Sequence, residues 1–395
     1  IQQITEKVRE LDLTIINMKA ATDSQSGELG IVKQEVARIE GIITNQTGVD
    51  EQLRDNVSLL AEHSQIKALF SPEHGLTGTA QAGVQISSDQ KQLIPVYSLY
   101  GQTKQPTEDM LEGLDLLVFD IQDVGARFYT YTWTMYRAMK SAEECGLDFM
   151  VLDRPNPIGS RVAGNVSETN FLSFVGQHPI PMQHGMTIGE LAQLFNSECN
   201  LDIDLKVISM HTNEARKKFF EQADWLWVPP SPNIPNRRTT QLYVGTCLIE
   251  GTNLSEGRGT TKPFEWIGAP WLDGQWLATA FNKLDLLGMK ARPIQFEPIF
   301  SKYKGKVCNG IQLHLTNTNL EGKYCAISAT LHLLNLVKHQ YPDEFQFHDT
   351  FFDRLVGSDK LRKTIEEGVS VDDLIEDWRQ QSLGFQQHCR PYLIY

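Results

Sequence analysis

No two cysteines of this chain are spaced C-x-x-C; its six, Cys145, Cys199, Cys247, Cys308, Cys325 and Cys389, are scattered singly. That spacing excludes a zinc knuckle and a dense disulfide framework, and the thiols are expected to be mostly buried and free. No apolar run approaches the ~20 residues a membrane-spanning helix needs, so no segment is expected to cross a bilayer. Basic residues are the scarcer charge: 36 Lys and Arg against 49 Asp and Glu leave a net charge of −13 and a pI near 5.3. Nucleic-acid binding relies on clustered Lys and Arg, and the pairs Lys217-Lys218 and Arg237-Arg238 are too short to supply a cluster. Also missing are G-x-G-x-x-G after any expected strand, G-x-x-x-x-G-K-[ST], H-E-x-x-H and G-x-S-x-G. Nucleotide binding, zinc proteolysis and serine hydrolysis each lose their usual signal. His74, His184 and the aspartates have no metal-ligand spacing, and neither a metal nor a cofactor is expected.

What is present is an ordinary globular composition, 41% hydrophobic and 22% charged over 395 residues, long enough for two cored domains. Ile1, Ile4, Val8, Leu11, Ile15 and Met18 repeat at heptad spacing, and Leu29, Val32, Val36 and Ile39 resume it after a polar break at 23–27. Residues 1–35 are therefore expected to be amphipathic and helical, either a self-associating coiled coil or helices packed on the body. The chain begins at Ile1, as expected of a trimmed N-terminus, and a signal peptide could have been removed.

From residue 36 a pattern repeats four times, in which an apolar run of strand length stops at a polar cluster. Arg38–Thr44 ends in Asn45-Gln46-Thr47-Gly48, Ile66–Phe70 in Ser71-Pro72-Glu73-His74-Gly75, Leu114–Phe119 in Asp120-Ile121-Gln122-Asp123, and Phe149–Leu152 in Asp153-Arg154-Pro155-Asn156-Pro157. Helical segments, Asn56–Ala61 and Tyr131–Glu144 among them, lie between. Alternating strands and helices predict an α/β fold with a parallel sheet, and all four polar ends then line one edge, where such sheets bind ligands. Thr187 and Glu190 form a capping box for a helix over 188–196, with His184 just upstream. The run Trp225–Val228 leads into the proline-rich loop 229–235, and glycines alternate with charges from Glu250 to Thr260. Residues 36–262 are expected as one domain. Residues 263–395, with an alternating strand at Gly310–Leu315, are expected as a smaller α+β domain that meets it at the active cleft.

Several acids fall on or near that edge: Glu73, Asp120, Asp123, Asp153, Glu250, Glu256 and Glu265. Carboxylates in a cleft with Trp and Tyr suit a sugar, because glycoside hydrolysis commonly pairs a carboxylic acid that protonates the leaving oxygen with a second group. The plainer alternative is that Asp120 and Asp153 cap helices and pair with Arg127 and Arg154.

The four strand-end motifs, together with Pro95-Val96-Tyr97-Ser98-Leu99-Tyr100-Gly101, Val118–Gly125, Glu250–Thr260 and the ending Arg390-Pro391-Tyr392-Leu393, resemble the exo-β-N-acetylmuramidases of glycoside hydrolase family 171. The resemblance covers roughly residues 38–395 and implies a Rossmann-like domain, a smaller C-terminal domain and a cleft between them. It also implies removal of N-acetylmuramic acid (MurNAc) from non-reducing ends of peptide-free peptidoglycan chains, the partner being a MurNAc-GlcNAc saccharide. The family's catalytic glutamate corresponds to Glu73, expected as a general acid with its pKa raised by burial. His74, Asp120 and Asp123 are the further catalytic candidates. Asn45, Arg127, Asp153, Arg154, Asn156, His184, Asn253, Glu256 and Arg258 are candidates for holding the sugar, an Arg reading the lactyl carboxylate. Two departures stand out: Gln183 occupies a position where the family usually has Arg, and residues 1–35 do not resemble the family's start. A non-catalytic binder of cell-wall glycan is the competing reading. The substrate favours a periplasmic or secreted location, with the cytoplasm left open.

Overall fold

The structure is a computed structural model and describes residues 36–85, 87, 94–210, 226–316 and 325–395. The expected helical segment 1–35 lies outside the described residues. The last two positions of the heptad pattern, Val36 and Ile39, follow that segment and are described, and both are buried beneath the main sheet beside Leu60.

That sheet is built from β1 (Gly41–Thr44), β2 (Ala68–Ser71), β3 (Val96–Ser98), β4 (Leu116–Asp120), β5 (Asp148–Leu152) and, after a short hairpin of β6 (Ala163–Val166) and β7 (Pro181–Gln183), β8 (Leu205–Ile208). The order is β3-β2-β1-β4-β5-β8 and every pairing is parallel. Continuous apolar runs produce it because both faces are covered. Ile43, Phe70, Phe119, Phe149 and Val151 enter the main core, while Ile42, Leu69, Val118, Met150 and Leu152 alternate into a second cluster behind. β1 starts at Gly41 rather than Arg38, because a turn closed by the Ile39 amide on the Val36 carbonyl precedes it; Arg38 pairs with Asp148 at the start of β5. The apolar residues Leu226–Val228 form no strand, and Leu226 is exposed.

Helices α1 (Asn56–Ala61), α2 (Glu108–Leu111), α3 (Thr130–Cys145) and α4 (Ile188–Glu198) connect the strands, and α5 (Arg237–Thr246) follows. α4 carries the expected capping box between Thr187 and Glu190. Beyond it, β9 (Trp266–Ala269), α6 (Gly274–Lys283), β10 (Met289–Phe296) and β11 (Cys308–Leu315) give an antiparallel sheet of order β10-β11-β9, followed by α7 (Ala326–Gln340), α8 (Asp349–Val356), α9 (Lys360–Glu366) and α10 (Asp372–His388). The alternation at 310–315 predicts a half-buried strand. β11 is instead buried at all but Asn309 and His314, because it lies between two partners. One hydrophobic core continues from the large sheet into the small one. In the large sheet the strand order reverses between β1 and β4, and the crevice at such a reversal is where doubly wound sheets bind ligands.

Candidate active site

β2 runs beside β1 and delivers Glu73 and His74 to the carboxyl edge. His74 and Gly75 both adopt positive φ, 74° and 80°, which turns the chain back sharply. The reversed segment closes over them: the Gly83 amide donates to Glu73 Oε1 at 2.9 Å, and His74 Nδ1 meets the Ala80 carbonyl at 2.7 Å. Gly78 permits this path, since a Cβ there would lie 2.1 Å from Gln46 Nε2. From α3, the Thr130 hydroxyl donates to Glu73 Oε2 at 2.8 Å, while the Tyr131 hydroxyl lies 3.3 Å from the Glu73 carbonyl and 2.5 Å from that of Pro230. The Tyr100 hydroxyl is a second side-chain contact of the carboxyl group, and burial together with the Glu73 charge pushes its pKa up. Glu73 is left 7% exposed.

A carbonyl only accepts, so His74 Nδ1 carries the ring hydrogen and Nε2 keeps a lone pair. Burial pushes the ring below the usual histidine pKa against the opposing pull of Glu73 and Ala80, and the charge of Arg258 adds to the depression. His74 is therefore a neutral imidazole beside a buried carboxyl group.

At the strand-order reversal the buried polar groups tie β1 to β4. Asp120 accepts from Arg154 Nε at 2.6 Å and from Asn56 Nδ2 at 2.8 Å, so both its oxygens serve the framework. Asp123 accepts from the Gly125 amide at 2.7 Å and faces His184 Nε2 at 3.7 Å. His184 Nδ1 accepts the Met186 amide, so its Nε2 bears the hydrogen. Asn45 Oδ1 is bound within its own turn by Thr47, and its Nδ2 faces the Tyr131 hydroxyl without normal hydrogen-bond geometry. Among the described residues, Gln46 Oε1, Gln122 Oε1 and His184 Nε2 are also buried without a hydrogen-bond partner. Buried polar atoms normally have partners, so unpartnered ones at this edge are candidates to meet a ligand.

Arg258 approaches from the 250–260 loop. It donates to Glu250 at 2.7 Å, lies 3.4 Å from Glu256, and stacks its guanidinium 5.0 Å from the Phe264 ring. Edge-to-face aromatic contacts run from Phe264 through Tyr243 and Tyr129 to Tyr131, connecting that loop to the Glu73 carbonyl.

Four expected site residues are occupied elsewhere. Arg127 is buried and donates to the carbonyls of Asn165, Ile180, Leu355 and Val356, leaving its guanidinium unavailable to a sugar. Asp153 accepts from the amides of Arg154 and Gly189 and from the hydroxyls of Thr187 and Tyr395, which anchors α4. Asn156 bridges Ile158 and Met186, and Asn253 bridges Glu344 and Gln346. Gln183 turns its amide to the Ile158 carbonyl. Conversely, sequence reasoning missed Tyr100, Thr130 and Tyr131, which surround Glu73. The available signal was an aromatic and hydroxyl-rich run, Tyr129-Thr130-Tyr131, opening a helix directly after a strand-end loop. Among the described residues no three His, Cys, Asp or Glu side chains are grouped to hold a metal ion, and no helix is long and apolar enough to cross a membrane.

A doubly wound sheet with a buried carboxyl group, a neutral imidazole and unpartnered amides at its reversal is the frame of an α/β glycosidase. Family models describing the N-terminal and C-terminal parts of exo-β-N-acetylmuramidase NamZ match residues 40–238 and 241–395, and the chain belongs to that family. It is 47% identical over 369 residues, 92% of this chain and 88% of the relative, to the peptidoglycan β-N-acetylmuramidase NamZ of Bacillus subtilis (strain 168). Two crystal structures of DUF1343 family proteins from Bacteroides fragilis are similar to it, each at 34% identity. The first gives a TM-score of 0.83, with 93% of this chain and 97% of that chain covered. The second gives 0.72, with 91% and 94% covered.

Proposed function

We propose that this chain is an exo-acting β-N-acetylmuramidase that releases MurNAc from non-reducing ends of peptidoglycan-derived glycans, with Glu73 as the general acid. The observation that carries the assignment is the surroundings of Glu73. Two of its side-chain contacts are hydroxyls, Thr130 and Tyr100, and a hydroxyl donates to a carboxylate or accepts from a carboxylic acid. The same site thus accommodates Glu73 before and after it hands a proton to the glycosidic oxygen. His74 supplies the complementary group: its Nε2 lone pair takes a proton from the water that attacks C1. Asp120 and Asp123 hold the reversal in place, and Arg258 and the unpartnered amides meet the sugar. The substrate of the B. subtilis relative supports the muramic acid assignment.

The test is 4-nitrophenol release from its β-N-acetylmuramide beside the β-N-acetylglucosaminide. Release from the muramide is expected. Glu73→Gln should lower kcat by about 10²- to 10⁴-fold, the usual contribution of a general acid, while binding of MurNAc persists. An unchanged rate in Glu73→Gln removes the role. Direct attack by water predicts α-MurNAc as the first product by proton NMR. A β-product would instead require a glycosyl-enzyme or acetamido-assisted route and displace His74 from its role.

A further inference from the structure

A cavity of about 520 Å³ opens between α3 and the segment that follows β3. Lys104 and Arg137 line it together with Glu108, Glu144 and Cys145. The charges are segregated. Lys104 feels Glu73 and Arg137, whereas Cys145 feels Glu108 and Glu144, so the cationic end is the one next to the catalytic carboxyl group. Among the described residues neither Lys104 nor Arg137 forms an ion pair. Arg137 Nε donates to Gln177 at 2.9 Å. Aromatic faces hold both cations: Lys104 Nζ sits 3.3 Å from the centroid of Tyr100 and 5.3 Å from that of Phe174, and the Arg137 guanidinium lies 5.2 Å from Phe174. Tyr100 in turn contacts Glu73, so one tyrosine separates the cation from the acid.

Two cations held close together against their mutual repulsion, neither of them in an ion pair among the described residues and only Lys104 feeling the Glu73 charge, form a site for an anion. Resting on the muramidase reading above, we propose that Lys104 and Arg137 bind the lactyl carboxylate of the MurNAc residue whose glycosidic bond Glu73 protonates. The lactyl ether is the one group that separates this sugar from N-acetylglucosamine, and its carboxylate is the substrate's only charge. Arg137 offers a planar fork to it, Lys104 a point charge, and their ring contacts fix both before substrate arrives.

The experiment compares 4-nitrophenyl β-N-acetylmuramide with its lactyl methyl ester, which keeps the shape and removes the charge. The parent should prefer the acid. Lys104→Gln and Arg137→Gln should each lower kcat/KM for the acid about 10- to 100-fold, mostly through KM, and leave the ester nearly unchanged. Lys104→Arg should recover much of the loss. Free MurNAc should weaken as a competitive inhibitor by a similar factor, a binding readout independent of turnover. Equal losses on acid and ester, or no loss on either, would overturn the subsite while leaving the muramidase intact. Hydrolysis of neither compound by the parent would remove the muramidase reading and the subsite with it.

Discussion

A single residue with two constraints illustrates what the site requires. His74 occupies a left-handed backbone conformation, costly for a residue with a side chain, and its ring is nearly out of reach of water. The conformation directs its Nδ1 to Ala80 and leaves Nε2 as the acceptor. Because burial depresses its pKa, the ring stays neutral as pH falls below the ordinary histidine value of 6.5. If Nε2 is the base, the acidic limb of kcat/KM must lie below pH 6.5, since activity is lost only when the folded ring protonates. A pH–rate profile on the muramide measures this, and a limb at or above 6.5 is incompatible with a buried neutral base. Glu73 and His74 were legible because a strand-length run ended on them. Tyr100 and Thr130 were not, since their relation to Glu73 exists only once β3 and α3 pack beside β2.

At the level of elements, Asp153 governs how α4 docks on β5. Burial raises its carboxyl pKa from the ordinary 3.8 to about 6, with the Gly189, Thr187 and Tyr395 donors opposing the rise. A raised carboxyl pKa favours the protonated native state, so this contribution is complete below pH 3.8 and is lost as pH rises through about 6. The displacement is worth about 3 kcal/mol in all, of which about 1 to 1.5 kcal/mol falls between pH 5 and 7.5. Urea unfolding should find the stability of the parent relative to Asp153→Asn lower at pH 7.5 than at pH 5 by that amount. A flat difference would mean that Asp153 does not titrate in this range. Thr187→Ala removes both the cap of α4 and a partner of Asp153, and should cost about 1 to 2 kcal/mol in the same assay. The capping box was readable locally, three residues apart. The Asp153 anchor was not, because Tyr395 reaches it from the other end of the sequence. Strand length divides the sheet similarly. β1, β2 and β4 announce themselves as fully buried runs and β5 as one from Phe149 on, whereas β3 and β8 are edge strands, β3 only three residues long and β8 nowhere fully buried.

For the whole molecule the decisive residue is one that the sequence presented as a sugar ligand. Arg127 sits at the end of the β4 loop, yet two of its carbonyl partners, Leu355 and Val356, end α8 more than two hundred residues later. The last carbonyls of a helix lack intrahelical donors and carry the negative end of its dipole, so a buried guanidinium satisfies them without a carboxylate. Gly357 makes room for the contact at φ 74°, where a Cβ would lie 3.0 Å from the guanidinium. Asn165, within β6, and Ile180, just before β7, accept from Nη1. One side chain thus joins the large sheet's loop, the hairpin and the C-terminal helices. Arg127→Met keeps much of the volume and removes every donor, and should destabilise the fold by at least about 2 kcal/mol, the cost of leaving buried carbonyls unsatisfied. Hydrogen exchange distinguishes this joint from a local defect: amides of the hairpin and of residues 357–366 should lose protection together. Faster exchange confined to the loop after β4 would show that the guanidinium does not hold the two parts together.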